Sequence, residues 1–424
     1  MSRSQVRYCT ALVLFGVAAA ASAQSYDYPF TDPFMATVVG TPPALRYPIP
    51  DKIPLKVRRL PAEAGRAIPD VLWYGARLEY SYATQKGPAP LIFLLAGTGA
   101  THYSGKNAIL MRAFWGAGFN VIGVTSPSHP SFVIAASATK VPGHLRHDAE
   151  DIYKVMQQIW GEVGGKMQVT AKYLAGYSLG ATHGAYVAQI DDQLGAIGFE
   201  KVLLINPPLS LYNSISKLDR MLDNIPGGMD NFHRFFANVV KRVGEVYNES
   251  TSVKFSPELI FQAFEEDPPL DEELAAIIGV AFRLSSSAMI FTSDLMTDDG
   301  YMKPANMTMT KNSTMGPLMM VGVRLGFTDY FHEFAWPFYK DQSTSKNRQE
   351  FAVEQSLHPL GEYLAQAKHI GLVHNQDDVI LEAGEIDFFP AIFGVRAKIY
   401  PYGGHMGNLE QHETLGYVLD FFQQ

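Results

Sequence analysis

Short runs that are almost wholly apolar recur along the first half of this chain. They include Leu91-Ile92-Phe93-Leu94-Leu95, Asn120-Val121-Ile122-Gly123-Val124, Lys172 to Gly176 and Lys201 to Asn206. A strand with no polar face must be covered on both sides, which is the condition of a central strand in a parallel sheet. Helical spacing fills the intervals. Met111 to Gly118 suits a helix, and Asp148 to Trp160 puts Ile152, Val155, Met156 and Ile159 on one face. Leu72 to Thr84 alternates instead, with Tyr74, Leu78, Tyr80 and Tyr82 at even positions, and predicts a strand with one buried face. Strand and helix in turn predict an α/β sheet with helices on both faces.

The pattern changes after Pro207-Pro208. From Leu209 to about Glu354 helical periods dominate, as in Phe232 to Val246 and Asp271 to Phe282, and no buried strand returns before Ile370-Gly371-Leu372-Val373. This predicts a helical lid, residues 209–354, inserted between a first core part, 51–208, and a second, 355–424. Residues 24–50 are rich in Pro, Tyr and Phe, show neither period, and predict an extended N-terminal arm. Ten of the 16 methionines fall in the insertion, beside Phe232, Phe235, Phe236, Phe327 and Phe331. Any one of them serves equally well to glue helices together; as a set these adaptable side chains favour an apolar, accommodating pocket.

The first residues have a different character. Arg3 and Arg7 precede the apolar run Ala11 to Ala18, and Ala21-Ser22-Ala23 follows, the pattern of a secretory signal peptide over residues 1–23 cleaved near Ala23. That run is short of the roughly 20 residues a membrane span requires. An exported protein, periplasmic or secreted, is the expectation. The one cysteine, Cys9, lies inside that segment, so the mature chain has no thiol for a disulfide or a cysteine metal site.

Composition narrows the function classes. With 47% hydrophobic and 18% charged residues in 424, the chain has material for a sizeable core. The net charge is −8, and removing Arg3 and Arg7 leaves 32 basic against 42 acidic residues, or −10, which argues against nucleic acid as a partner. Leu274 to Phe282 is stopped by Arg283 and Pro317 to Val323 by Arg324, so no transmembrane span is expected in the mature chain. No H-E-x-x-H or clustered His/Asp ligand set occurs, and neither a metal nor a cofactor is expected. Gly99 to Lys106 imitates a P-loop, but five residues separate its glycines and Asn107 replaces the Ser/Thr, so nucleotide binding is rejected.

The candidate chemistry starts at Gly176-Tyr177-Ser178-Leu179-Gly180, G-x-S-x-G at the end of a buried strand. A serine raised on a strained strand-to-helix turn needs glycine two residues before and after it, because side chains there would strike the neighbouring strand and helix. Downstream follow an acidic pair, Asp377-Asp378, after the strand Ile370 to Val373, and His405 between Gly403-Gly404 and Gly407. Ester or amide cleavage needs a nucleophile, a base, an acid to hold the base, and oxyanion donors. Ser178 is the candidate nucleophile and His405 the base; His183 sits on the elbow helix and is read as a local packing residue. The candidate donors are the backbone N–H of Leu179 and one from Ala96-Gly97-Thr98-Gly99-Ala100, with Thr98 the first choice.

With glycine loop, elbow, acid and histidine in this order, the chain resembles the α/β-hydrolase superfamily over residues 51–206 and 354–424. The resemblance implies an eight-stranded, mostly parallel sheet and places Ser178, Asp378 and His405 in a catalytic triad. Related hydrolases carry H-G-x-x-D before aliphatic residues, and His374-Asn375-Gln376-Asp377-Asp378 aligns the acid on Asp378, leaving Asp377 as a solvated loop charge. The oxyanion loop departs from a His-Gly-Gly start and the lid is long, so the resemblance does not supply a substrate. The expected activity is hydrolysis of a small-molecule or lipid-like ester. A serine peptidase or amidase, with Glu265-Glu266 or Glu272-Glu273 as an amino-group anchor, and a non-catalytic binding module of the envelope are the alternatives.

Overall fold

A computed structural model describes residues 26–247 and 269–424. The signal segment and the Glu265-Glu266 pair lie outside the described residues. Eight strands form one sheet: β1 (Lys56–Pro61), β2 (Arg77–Ala83), β3 (Ala89–Leu95), β4 (Asn120–Val124), β5 (Val169–Tyr177), β6 (Lys201–Ile205), β7 (Ile370–Asn375) and β8 (Ala397–Tyr400). Their spatial order is β1-β2-β4-β3-β5-β6-β7-β8, and β2 alone runs against the rest.

The apolar runs occupy the middle of this sheet because they have two faces to bury. In β3, Leu91, Phe93 and Leu95 pack under the helices Leu145–Val163 and Leu179–Leu194, while Ile92 and Leu94 pack on the opposite side against Gly105–Gly116 and the C-terminal helix His412–Gln423. Alternation across the pleat therefore feeds two cores from one strand.

Three expectations need correction. The strand read from Leu72 starts at Arg77, and Asp70–Gly75 is a 3₁₀ segment in which Val71 and Leu72 are buried while Tyr74 is 52% exposed. Gly75 permits this packing, since a Cβ there would lie 2.3 Å from the Ile134 side chain. The arm is not wholly extended: Pro33–Val39 is helical, with the Asp32 side chain accepting the Met35 N–H and Pro33 at the first helical position. Edge strand β1 had no sequence signal, because Lys56, Val57, Arg58 and Arg59 all face solvent.

Between β6 and β7 the chain leaves the sheet as a helical insertion. Its neck is pinned where Leu211 N–H donates to Gln355 O (3.0 Å) and Leu357 N–H to Leu209 O (2.8 Å). The centre of the insertion is one helix, Asp271–Thr297, which does not end at Phe282. Arg283, whose charge made it look like a stop, is folded inside and pairs with Asp219 at 3.2 Å. Residues 273–297 are long and apolar enough to cross a membrane, yet 78% of the apolar window is buried within the protein. The methionines mostly pack here: Met221, Met289, Met296 and Met302 are buried, and Met307 and Met320 are exposed.

Candidate active site

β5 ends at Tyr177 and the next helix begins at Leu179, so Ser178 forms the turn by itself. Its φ of 52° and ψ of −130° lie in a region that side chains seldom adopt. Two glycines make the turn possible. A Cβ on Gly176 would stand 2.2 Å from the Gly180 carbonyl oxygen, and one on Gly180 would stand 2.5 Å from that of Leu95. Ser178 N–H donates to Ile205 O at 2.8 Å, fixing the elbow to β6.

His405 stands in the loop between β8 and the C-terminal helix, and its Nε2 is 2.9 Å from Ser178 Oγ. Its Nδ1 is 3.0 Å from both carboxylate oxygens of Asp378. The carboxylate only accepts, so Nδ1 carries the proton and the Nε2 lone pair faces the serine hydroxyl. Ser178 and His405 are each 7% exposed, beneath the insertion.

Asp378 has further donors, Asn206 Nδ2 at 2.9 Å and Ile380 N–H at 3.1 Å. Burial acts to raise the Asp378 carboxyl pKa, but the facing His405 ring and its hydrogen bond, then His374 and Asn206, outweigh it and hold the group below the usual carboxylate range. His374 Nδ1 accepts the Asn375 N–H (2.9 Å) and its Nε2–H donates to Pro207 O (3.0 Å). Burial pushes its pKa down, and its Nδ1 lies 3.7 Å from the Asp378 carboxylate.

Asp377 corrects the reading of a solvated charge. It is half-buried, and its two oxygens accept the N–H of Gly403 (3.1 Å) and Gly404 (2.9 Å), the residues that lead into His405. Burial raises its pKa against those two donors. From the other side, Thr37 Oγ1 accepts the His405 N–H at 2.9 Å while donating to Pro33 O at 2.6 Å. Gly407 is equally closely held: a Cβ there would be 1.9 Å from Ala36 O. The histidine loop thus lies between the acidic loop and the N-terminal helix.

A narrow, mainly apolar cavity opens beside Ser178 and His405. Its wall comes largely from the insertion, through Ile215, Leu218, Phe282, Phe327 and Phe331, with Met289 the only methionine among the described residues to line it. The methionine set therefore serves mainly to pack the insertion, and aromatic and branched side chains shape the pocket. Leu179 and Thr98 border the cavity near Ser178. Leu179 opens its helix, so its N–H has no acceptor within that helix. Gly97 lets the Thr98 loop come close, since a Cβ would be 3.2 Å from Ser178 Cβ. The next amide, Gly99 N–H, is engaged by Ser128 Oγ at 2.9 Å.

His183 is buried 3.5 Å from Asp148. Glu273 accepts the Leu270 N–H as a helix cap and does not line the cavity. Among the described residues no group of three or more His, Cys, Asp or Glu is placed to hold a metal ion. Sequence reading missed Asn206, Asp377 and Thr37 as parts of the site. The asparagine at the end of β6 was the one with a local signal, since a buried carboxylate beyond the next strand requires a donor.

This strand order, with a serine turn after β5, an acid after β7 and a histidine after β8, defines the α/β-hydrolase fold, and the chain has that fold. Solved structures with a similar fold include an esterase from Pyrococcus furiosus, at 9% identity over 88% of this chain and 91% of that one, TM-score 0.40. A membrane phospholipase A described as a bacterial virulence factor is 14% identical over 87% of this chain and 86% of its own, TM-score 0.42. A proline iminopeptidase from Mycobacterium smegmatis is 13% identical over 87% and 98%, TM-score 0.40. No protein-family model matches the chain, and no curated protein matches its sequence.

Proposed function

We propose that this protein is an exported serine hydrolase that cleaves a carboxylic ester with an apolar acyl or alkyl portion. The observation that carries the reading is His405, within 3.0 Å of Asp378 on one ring nitrogen and 2.9 Å from Ser178 on the other, at the wall of an apolar cavity. Ser178 Oγ attacks the ester carbonyl carbon as His405 Nε2 takes its proton. The N–H groups of Leu179 and Thr98 receive the oxyanion, a type of contact worth about 3 kcal/mol each. His405 returns the proton to the departing alcohol, leaving an acyl group on Ser178. Water then attacks that acyl group, giving its proton to His405, and release of the acid restores the serine. Export rests on the signal pattern ending near Ala23.

Fluorophosphonate labelling of the purified mature protein tests this. Labelling at Ser178, lost in Ser178→Ala and strongly slowed in His405→Ala, is the expected result, because only a base-activated serine reacts readily. A folded protein that takes no label is a binding module. A labelled protein that turns over amides but not esters is a peptidase or amidase.

A further inference from the structure

A second cleft, open to solvent, lies on the β1–β2 edge of the sheet. It backs onto the same two loops that border the first cavity: Thr98 and Ser128 face the serine side, and Thr101 and Thr125 face this one. Nothing in the esterase reading uses it.

Its rim is unusual for this protein. Ten large hydrophobic side chains are exposed among the described residues, and the only aromatic ones, Trp73 at 66% and Tyr74 at 52%, both line this cleft. They are not on a loose loop, because Val71 and Leu72 in the same 3₁₀ segment are buried and Gly75 packs on Ile134. The two rings stand 6.4 Å apart at 84°, a shelf and a wall at nearly a right angle. A rigid, solvent-facing aromatic pair beside charged side chains marks a binding surface more than a packing remnant.

The floor supplies charge. Glu79 is gripped by Arg59, whose Nε and Nη2 lie 3.0 and 2.9 Å from one carboxylate oxygen, so these two charges offset. Arg77, two residues away on the same face of β2, makes no ion pair among the described residues and gives the cleft a net cation. Ser131 adds a hydroxyl.

We propose that this cleft binds an acidic saccharide, with the apolar face of a sugar ring on Trp73, its hydroxyls on the polar side chains beside it and its carboxylate on Arg77. Concavity favours an inserted ligand over a flat bilayer. The ring needs the aromatic face and the carboxylate needs the guanidinium, so the two contacts are separable.

Affinity electrophoresis of the mature chain tests the site, using gels containing polygalacturonate, neutral dextran or polyaspartate. The protein should be retarded by polygalacturonate alone. Trp73→Ala and Arg77→Gln should each weaken that retardation by about tenfold, the scale of one lost stacking or charge-assisted contact. Labelling of Ser178 by fluorophosphonate in both variants would show that the fold is intact, independently of polymer binding. Equal retardation by polyaspartate, retention unchanged in Trp73→Ala, or no retardation by any polymer would each overturn the proposal.

Discussion

Two adjacent aspartates, chemically the same, occupy different positions relative to one histidine. Asp378 faces the imidazole and is held ionised by it, while Asp377 faces backbone amides of the histidine loop. Asp378→Asn should keep the fold and lower kcat by as much as about 10⁴, the scale of a triad acid that presents the wrong hydrogen-bonding pattern. Asp377→Asn retains one acceptor and loses the other. It should cost about 1–2 kcal/mol in thermal unfolding, and a smaller part of kcat than Asp378→Asn, as the loop loosens. Measuring kcat and Tm for the two single variants separates the roles, and a normal kcat in Asp378→Asn would place the acid elsewhere.

At the scale of elements, the N-terminal helix Pro33–Val39 is part of the site's support although it is about 370 residues away in sequence from the histidine. Thr37→Val keeps the shape of the side chain and removes the acceptor for the His405 N–H, a loss worth about 1–3 kcal/mol when the donor stays buried. We expect kcat to fall with KM nearly unchanged, and Thr37→Ser to restore it; a normal kcat in Thr37→Val beside a loss in Thr37→Ser would mean that the methyl group, not the hydroxyl, holds the loop. The insertion acts on the substrate instead. Met289→Trp narrows the cavity, so kcat/KM for long-chain p-nitrophenyl esters should drop relative to the acetyl ester, with an overpacking cost of about 1–3 kcal/mol. An unchanged chain-length profile would locate the acyl chain outside this cavity.

For the molecule as a whole, pH dependence of stability has an identifiable source in Asp151. Its carboxylate is buried beneath the loop before the helix Leu145–Val163 and accepts the Ala138 N–H at 2.7 Å. Burial pushes its pKa up to about 7, with Asp148 adding to the rise and Lys154 and Arg66 opposing it. The unfolded carboxyl titrates near 3.9, so between about pH 4 and pH 7 the folded state holds a proton that the unfolded state has released. The resulting stability is full below the unfolded value and is lost as pH rises through the folded one, at no more than about 1.4 kcal/mol per pH unit. Asp151→Asn should flatten this fall and be more stable than the parent above about pH 7. Denaturant midpoints across that range read it directly; parallel curves for the two proteins would exclude Asp151 as the source.

Local chemistry was enough to expose the sheet's central strands and the elbow. A fully apolar run such as Leu91 to Leu95 has no stable place except between two covered faces, and glycines flanking Ser178 are dictated by contacts only a few residues away in the chain. His405 and the acidic pair could be found because glycines and a preceding strand mark their loops. What the sequence by itself left open involves partners far apart in the chain. Whether Asp377 is solvated or a brace depends on where Gly403 and Gly404 fold back; whether Arg283 ends a helix or lies within one depends on Asp219. Exposed strand β1 and the helix at Pro33–Val39 exist because the edge of the sheet and the histidine loop are there to receive them. Periodicity records which side of a segment is buried, and only the tertiary structure decides what it is buried against.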